Sequence, residues 1–252
     1  MINEIFAISN RRHSMQIFLD GLNNNPGLPT SGSFQKENAL VHPHLLRVGK
    51  ALLTDKQSFE FELTKPTGAN QGFSSDEQLE TSDIFMMTHI GLGFTKHNPD
   101  NKLAKNDNPV LSYPDVTFFG AAAAKALMGI VNGRTRISAG NQARIPAIKN
   151  QLLVVNPNGG FTGTVATPTD HMEIGATVEE RGLFELGAYP WMLGSQSNKA
   201  EVSLETVTTL ADIVGGAGGD ENLRNILVFF AFGWVFKGYG SNSNSACVSS
   251  AI

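Results

Sequence analysis

The sequence predicts an all-β fold of the sandwich or jelly-roll type. Turn signals separate about ten or eleven short segments of strand-like pattern, and at most two short segments favour helix. A parallel α/β fold would need more helices, and no fixed-period repeat indicates a propeller or solenoid. The 252 residues suffice for one large β domain or two small ones. A single elaborated jelly roll is favoured over a tandem double jelly roll, because residues 166–252 contain too few strands for a second barrel.

Three regions follow from changes in composition along the chain. Residues 1–40 are predicted to be an N-terminal arm and linker, since residues 1–20 mix helical and strand periodicity and residues 23–29 are rich in Asn, Pro and Gly. Residues 41–238 form the predicted jelly-roll domain. Residues 239–252, rich in Ser and Asn, are predicted to be a flexible C-terminal tail.

The first strands of the domain show two kinds of pattern. Residues 58–64 alternate apolar and polar side chains, which is typical of a half-buried antiparallel strand. Residues 83–95 form a longer apolar run whose glycines, Gly91 and Gly93, indicate a bulge or bend. Residues 116–119 resemble a short strand, and the composition of residues 121–128 favours a helix.

The middle of the chain contains the sharpest turn signal. Asn132-Gly133 is the pair preferred in a two-residue type I′ hairpin, so a hairpin is predicted between residues 130–131 and 134–137. Residues 152–155 form a compact apolar segment that predicts a strand, and the turn cluster at residues 156–160 ends it.

A second group of strands is predicted towards the C-terminus. Residues 172–178 and 202–206 alternate apolar and polar side chains, and the glycine-rich residues 215–219 indicate a loop. Residues 226–236 are apolar on both faces, which predicts a central strand covered on both sides. This run is the longest apolar stretch, and it is too short to cross a bilayer as a helix.

Composition indicates assembly rather than nucleic-acid binding. Charged residues make up 17% of the chain, and Gly, Asn, Ser and Thr replace them at the surface. The net charge of −4, without a basic stripe, argues against sequence-specific nucleic-acid binding. The basic group Arg11, Arg12 and His13 is interpreted as a solvated turn after a short helix; the alternative is an arm that touches genome or lipid headgroups.

The compartment is inferred from cysteine usage and from the N-terminal sequence. The lone Cys247 cannot form an internal disulfide, so the fold does not depend on an oxidising compartment. Asn3 and Glu4 interrupt any long apolar region at the N-terminus, and a secretory signal is therefore not expected. We expect an intracellular protein that assembles in the cytoplasm.

Few residues are candidates for chemistry. His42 and His44 have the His-x-His spacing of a cupin metal site, but the Glu expected soon afterwards is missing, and a surface loop pair is the preferred interpretation. His89 and His171 are interpreted as structural residues. Asp220-Glu221 is interpreted as a solvated loop.

Two further motifs are incomplete, and one aromatic group remains. No Gly-Lys-Ser or Gly-Lys-Thr follows residues 215–219. Ser195 follows Gly194, but residue 197 is Ser rather than the Gly that a nucleophile elbow needs. Tyr189, Trp191 and Tyr239 suggest a platform for stacking sugars or bases, although Pro190 favours a rigid turn that plugs one end of the barrel. We therefore predict no catalytic, cofactor-binding or metal-binding residue and no enzymatic activity.

Three segments together resemble the jelly-roll coat proteins of tailless icosahedral bacteriophages, many of them membrane-containing. These are residues 79–95, residues 128–155 with the Asn-Gly pair and Ile145-Pro146, and the closing strand that ends in residues 233–238. The resemblance covers about a third of the chain. It implies a virion protein whose partners are identical subunits in a symmetric shell and minor capsid proteins, with terminal arms that reach neighbours or an internal membrane.

Two alternatives stay open beside the capsid interpretation. One is a receptor- or glycan-binding β-sandwich module of a virion spike, which predicts a trimer with exposed aromatic residues. The other is a cupin-like metal enzyme that uses His42 and His44.

Overall fold

The computed structural model describes residues 2–26, 28, 41–53, 55–65, 77–97, 108–140, 142–154, 183–207 and 223–237. These residues form two antiparallel β-sheets with few helices, which confirms the all-β sandwich predicted from the sequence. The described strands are β1 (Val41–Ala51), β2 (Ser58–Glu62), β3 (Ile84–His97), β4 (Arg134–Ala139), β5 (Gln142–Lys149), β6 (Phe184–Glu185), β7 (Trp191–Leu193), β8 (Asn198–Ser203) and β9 (Arg224–Phe236). The helices are α1 (Ile2–Asn24), α2 (Val116–Phe119) and α3 (Ala121–Val131), and a 3-10 turn covers Asn150–Leu152.

The strands pair in a nested order. In sheet A the order is β1-β9-β3-β6, and β7 also pairs with β3; in sheet B the order is β2-β8-β4-β5. The first described strand thus pairs with the last, the second with the second last, and β4 pairs with its neighbour β5 at the centre of the nest. Strands that follow one another in the sequence therefore often lie in different sheets.

The main core fills the space between the sheets. Alternate residues of each strand point into it, as the two-residue repeat of a strand requires. On β2 the inward residues are Phe59 and Phe61, and Phe61 packs against Phe229 of β9 with ring centroids 5.9 Å apart. Glu60, which is exposed, and Glu62, which is half-buried, lie on the opposite face. This alternation confirms the strand predicted at residues 58–64.

The central strand β9 is buried on both faces, as the sequence predicts for residues 226–236. Along its length it pairs with β1 on one side and β3 on the other. Leu227 and Phe229 face the inter-sheet core, whereas Trp234 and Phe236 belong to a second apolar cluster on the outer face. The outer face of sheet A is thus also covered.

Helix α1 covers the part of that outer face near Trp234 and Phe236, whereas Ile226, Val228 and Phe230 form a separate buried cluster with Leu45, Val110 and Leu183. Phe18 and Leu22 are fully buried in the outer cluster, and the Phe18 ring stacks on Trp191 with centroids 5.0 Å apart and an interplanar angle of 13°. The indole Nε1 of buried Trp234 donates a hydrogen bond to Ser14 Oγ at 3.0 Å. At 23 residues α1 is about 35 Å long. Among the described residues, no helix has the length and apolar character needed to cross a membrane.

The basic group at residues 11–13 is not a turn after a short helix. All three residues lie inside α1, and the described side chains of Arg12 and His13 are exposed. The helix continues through this polar segment because its later residues are anchored on sheet A.

Residues 116–119 form helix α2, so the predicted strand is wrong. Asp115 Oδ1 accepts a hydrogen bond from the Phe118 backbone N–H at 2.8 Å and caps the first turn. The aromatic residues still pack inward, since Phe119 is buried. A capped turn therefore overrides their intrinsic preference for strand. The helix predicted at residues 121–128 is confirmed and continues as α3 to Val131.

The Asn132-Gly133 pair does not form the predicted hairpin. Ile130 and Val131 are the last residues of α3, and Asn132 ends the helix with φ −80°, not the positive value that a type I′ turn requires. Gly133 is needed for close approach, because a Cβ there would collide with the backbone oxygen of Ser203.

Two further details differ from the prediction. Residues 150–152 form a 3-10 turn, so the strand predicted at 152–155 is wrong for its described residues. In β3 the register shifts between Met87 and His89 and not at either glycine. At Gly93 a Cβ would crowd Val110 and Phe230, so close packing explains that glycine.

One of the remaining strand predictions is confirmed in part, and the others fall on residues that the structure does not describe. Residues 202–206 correspond to the end of β8, which stops at Ser203 and leaves Thr206 exposed. The predictions at 156–160, 172–178 and 215–219 lie outside the described residues. Strand β1 begins at Val41, and the predicted boundaries of the arm, domain and tail stay a prediction.

Candidate functional site

A cleft of about 370 Å³ lies at the junction of the two sheets and the end of α1. Its walls come from three separate parts of the chain. We call it the Tyr189 cleft, and its lining residues are Asn25, Leu28, Arg144, Ala188, Tyr189, Pro190, Trp191, Leu193 and Gln196. Its volume lies within the range of about 300–1,000 Å³ that is typical of ligand sites.

The indole of Trp191 is a fixed wall of this cleft. Phe18 stacks on it, and Gly21, one turn further along the same helix, approaches so closely that a Cβ would overlap the ring. The helix thus covers one side of the indole. Trp191 remains only partly buried, and its exposed part faces the cleft.

The backbone that follows Trp191 in the wall of the cleft is held by a buried amide. Asn198 is fully buried, and its Nδ2 donates to the carbonyls of Leu193 and Gln196 at 2.8 and 3.0 Å. Thr64 Oγ1 also donates to the Gln196 carbonyl at 3.0 Å. These bonds fix the turn that carries the Gln196 side chain, which is exposed.

Tyr189 and Pro190 are fixed by their neighbours in sheet A. The Pro190 carbonyl accepts a hydrogen bond from Met87 N–H at 3.0 Å, and Tyr189 OH donates to Glu185 Oε1 at 3.4 Å. Partial burial and the adjacent Glu185 carboxylate raise the pKa of Tyr189. The phenol therefore stays protonated and acts as a hydrogen-bonding group, not as an acid.

Arg144 supplies the charge of the cleft. It lies on β5 at the edge of sheet B, its side chain is exposed, and it forms no ion pair with any described residue. A guanidinium stays protonated and offers up to five N–H donors. The cleft thus combines aromatic walls, two side-chain amides and one cation that no described acidic residue neutralises.

The structure brings together two of the three aromatic residues proposed as a stacking platform. Tyr189 and Trp191 share the cleft, while Tyr239 lies outside the described residues. Sequence reasoning missed Asn25, Arg144 and Gln196. They come from three distant segments, and no spacing or motif connects them.

The pair His42 and His44 lies on strand β1, so the surface-loop interpretation is wrong. The rings are 5.9 Å apart, centroid to centroid. By the two-residue repeat they share the side of β1 that carries buried Leu46 and Val48, and His44 meets Phe85 edge-on at 6.3 Å. Within the described ranges, no group of three or more potential metal ligands is found.

The environment of His44 favours its neutral form. Its Nε2 is buried and has no hydrogen-bond partner in the described part of the chain. Burial, followed by the positive charges of Lys237 and His42, lowers the pKa of His44, and Glu77 opposes the shift. Nearby Asp83 is nearly fully buried, and desolvation raises its pKa.

The contacts of His89 on β3 are those of a structural residue. His89 Nδ1 lies 2.8 Å from Thr88 Oγ1, and its ring meets Phe232 edge-on at 5.9 Å. Ser195 is exposed in the turn between β7 and β8. His171 and the pair Asp220-Glu221 lie outside the described residues.

The outer face of sheet B carries charge, unlike the covered outer face of sheet A. Lys199 Nζ contacts Glu60 Oε1 at 2.7 Å and Glu62 Oε1 at 3.0 Å. These hydrogen bonds raise the pKa of Lys199 to about 12. Arg134 and Arg136 add exposed cations on the neighbouring strand β4. The two faces of the sandwich therefore differ in character.

No protein-family model matches the chain, and a search of curated proteins found no significant match.

Proposed function

We propose that the protein is a coat subunit of a tailless icosahedral bacteriophage, folded as a single jelly roll. Identical copies would assemble in the host cytoplasm into a closed shell and function in the virion. The subunit has no enzymatic role in this proposal, and its partners are further copies of itself and minor capsid proteins.

The nested strand pairing carries this proposal. A jelly roll is an antiparallel ribbon wound into two four-stranded sheets, so each strand pairs with its counterpart from the other end of the ribbon. Here β1 pairs with β9, β2 with β8, β3 with the short pair β6 and β7, and β4 with β5. If β6 and β7 together occupy one position, all eight positions of a single roll are filled. This order favours one roll over the tandem double version.

Composition supports a coat protein over other jelly rolls. The architecture occurs in capsid proteins, lectins and cupins, so the fold alone does not decide the function. Few charged residues and much Gly, Asn, Ser and Thr suit a surface that is largely buried between copies. The resemblance of residues 79–95 and 128–155 to phage coat proteins adds to this support.

Electron microscopy of the purified full chain, combined with light-scattering mass, tests the proposal. We expect uniform capsomers or shells whose mass is a multiple of the 27.1 kDa chain. A monodisperse monomer under every assembly condition would contradict it.

A tail-deletion variant makes this test specific for assembly. If the tail reaches a neighbouring subunit, a variant that ends at Gly238 should keep the melting temperature of the subunit and lose the large assemblies. The full chain, measured at the same concentration, is the control. Unchanged assembly would show that the tail is not required for the contacts between subunits.

The alternatives predict different particles. A spike-type receptor- or glycan-binding module predicts a discrete trimer, and a cupin-like enzyme predicts a stoichiometric metal on elemental analysis. Both stay predictions.

A further inference from the structure

We infer that the Tyr189 cleft is a binding site for a carboxylate-bearing saccharide, with Arg144 as the residue that recognises the carboxylate. This inference goes beyond the coat function and does not depend on it, since a shell subunit or a spike module could each carry such a site. Its support is the combination of a preformed cavity, aromatic walls and an arginine that forms no ion pair with the described residues.

The walls of the cleft are formed before a ligand arrives. Trp191 is held by the stack on Phe18, and the turn at Leu193 and Gln196 is held by buried Asn198. The Pro190 carbonyl is bonded to strand β3. A site whose walls are fixed in this way binds without a large ordering cost, which favours affinity for a small ligand.

The chemistry of the lining suits a sugar ring. Aromatic side chains present flat apolar surface with a polar edge, and the C–H face of a pyranose packs against such surface. Asn25 and Gln196 provide amide groups that donate to and accept from hydroxyls. Their mixture of donors and acceptors fits a polyhydroxylated ligand better than a purely apolar one.

The positive charge of Arg144 favours an acidic saccharide over a neutral one. Among the described residues that line the cleft, Arg144 is the only charged one. A guanidinium binds a carboxylate through two parallel hydrogen bonds, which fixes both position and orientation. A neutral saccharide would leave this cation without a partner.

Titration calorimetry of the full chain with sialyllactose, a hyaluronan tetrasaccharide and lactose tests the inference. We expect one of the two acidic probes to bind and lactose to bind at least about tenfold more weakly, as the loss of a charge-assisted pair implies. The acidic probe that binds should also change the fluorescence of Trp191. Failure of both acidic probes to bind, or equal binding of lactose, would overturn the assignment.

Two arginine variants distinguish specific recognition of the carboxylate by Arg144 from nonspecific attraction to positive charge. Arg144→Gln should weaken binding of the acidic probe at least about tenfold with an unchanged melting temperature. Arg136→Gln, an exposed arginine on adjacent β4 outside the cleft, should leave binding unchanged. Equal loss in both variants would indicate nonspecific attraction and would also overturn the assignment.

Discussion

At the scale of single residues, the buried Nε2 of His44 is the clearest unmet hydrogen-bonding group of the edge strand β1. Protonation would place a charge beside Lys237 and His42 at a partly desolvated position. The folded protein therefore takes up this proton less readily than the unfolded chain does. Stability is linked to pH through this difference in proton binding.

The sign of this linkage gives a testable pH dependence. Unfolded His44 titrates near its ordinary value of 6.5, and its folded pKa is lower, so its contribution to stability is constant above that range and is lost as the pH falls below it. We expect the free energy of unfolding, measured by urea denaturation between about pH 7.5 and 5.5, to fall less steeply in His44→Gln than in the unaltered protein.

A histidine elsewhere provides the control for this measurement. His13→Gln replaces an exposed histidine of α1 and controls for the loss of one imidazole as such. Asp83 acts in the opposite direction at lower pH, because its raised pKa makes the folded state the stronger proton acceptor there. An unaltered slope in His44→Gln would show that burial of this imidazole is not linked to stability.

At the scale of elements, α1 and sheet A are joined by an unusually close contact between Gly21 and the Trp191 ring. Glycine inside a helix normally lowers helix stability. Its presence at position 21 therefore indicates that close packing against Trp191 requires a residue without a side chain. Gly129 of α3 is the opposite case, because a Cβ there would meet open space. Packing does not require glycine at that position.

These two glycines form a matched pair for mutagenesis. Gly21→Ala should destabilise the protein by about 1–3 kcal/mol, because the methyl group overlaps the indole. Gly129→Ala should stabilise it by about 0.5–1 kcal/mol through helix propensity alone. Thermal unfolding followed by circular dichroism measures both. A stabilising Gly21→Ala would mean that α1 can move away from the sheet at little cost.

Sequence patterns that reflect burial predicted the strands correctly. Patterns that reflect local turn chemistry led to wrong predictions. The alternation at residues 58–64 and the two-sided apolar run at 226–236 were read correctly, since both follow from which faces are covered. Asn132-Gly133 and residues 116–119 were misread, because a helix end and a capped turn use the same residue types. The sequence suggested Tyr189 and Trp191 as a stacking platform, but Asn25, Arg144 and Gln196 could not be predicted, since tertiary contacts alone bring their segments together.

At the scale of the whole molecule, the nested pairing makes β9 the strand with the most complete protection. It is hydrogen-bonded on both sides and buried on both faces. Strand β5 pairs on one side with β4, and most of its residues are exposed. Local stability should therefore differ strongly across the fold.

Hydrogen exchange measures this difference directly. We expect amides of β9 to exchange only through global unfolding and amides of β5 to exchange at least about tenfold faster after correction for intrinsic rates. The exposed loop amides at residues 205–207 provide the unprotected reference. Equal protection of β5 and β9 in a monomeric sample would contradict the role of β9 as the central strand of the fold.

The pairing of the first strand with the last also determines where the chain enters and leaves the domain. Val41 and Phe236 are direct cross-strand partners. These two residues therefore lie side by side at one corner of sheet A, although nearly two hundred positions separate them in the sequence. A circular permutant that joined them by a short linker would lack α1, whose Phe18 and Leu22 are buried on sheet A. Such a permutant would expose the apolar cluster that α1 covers.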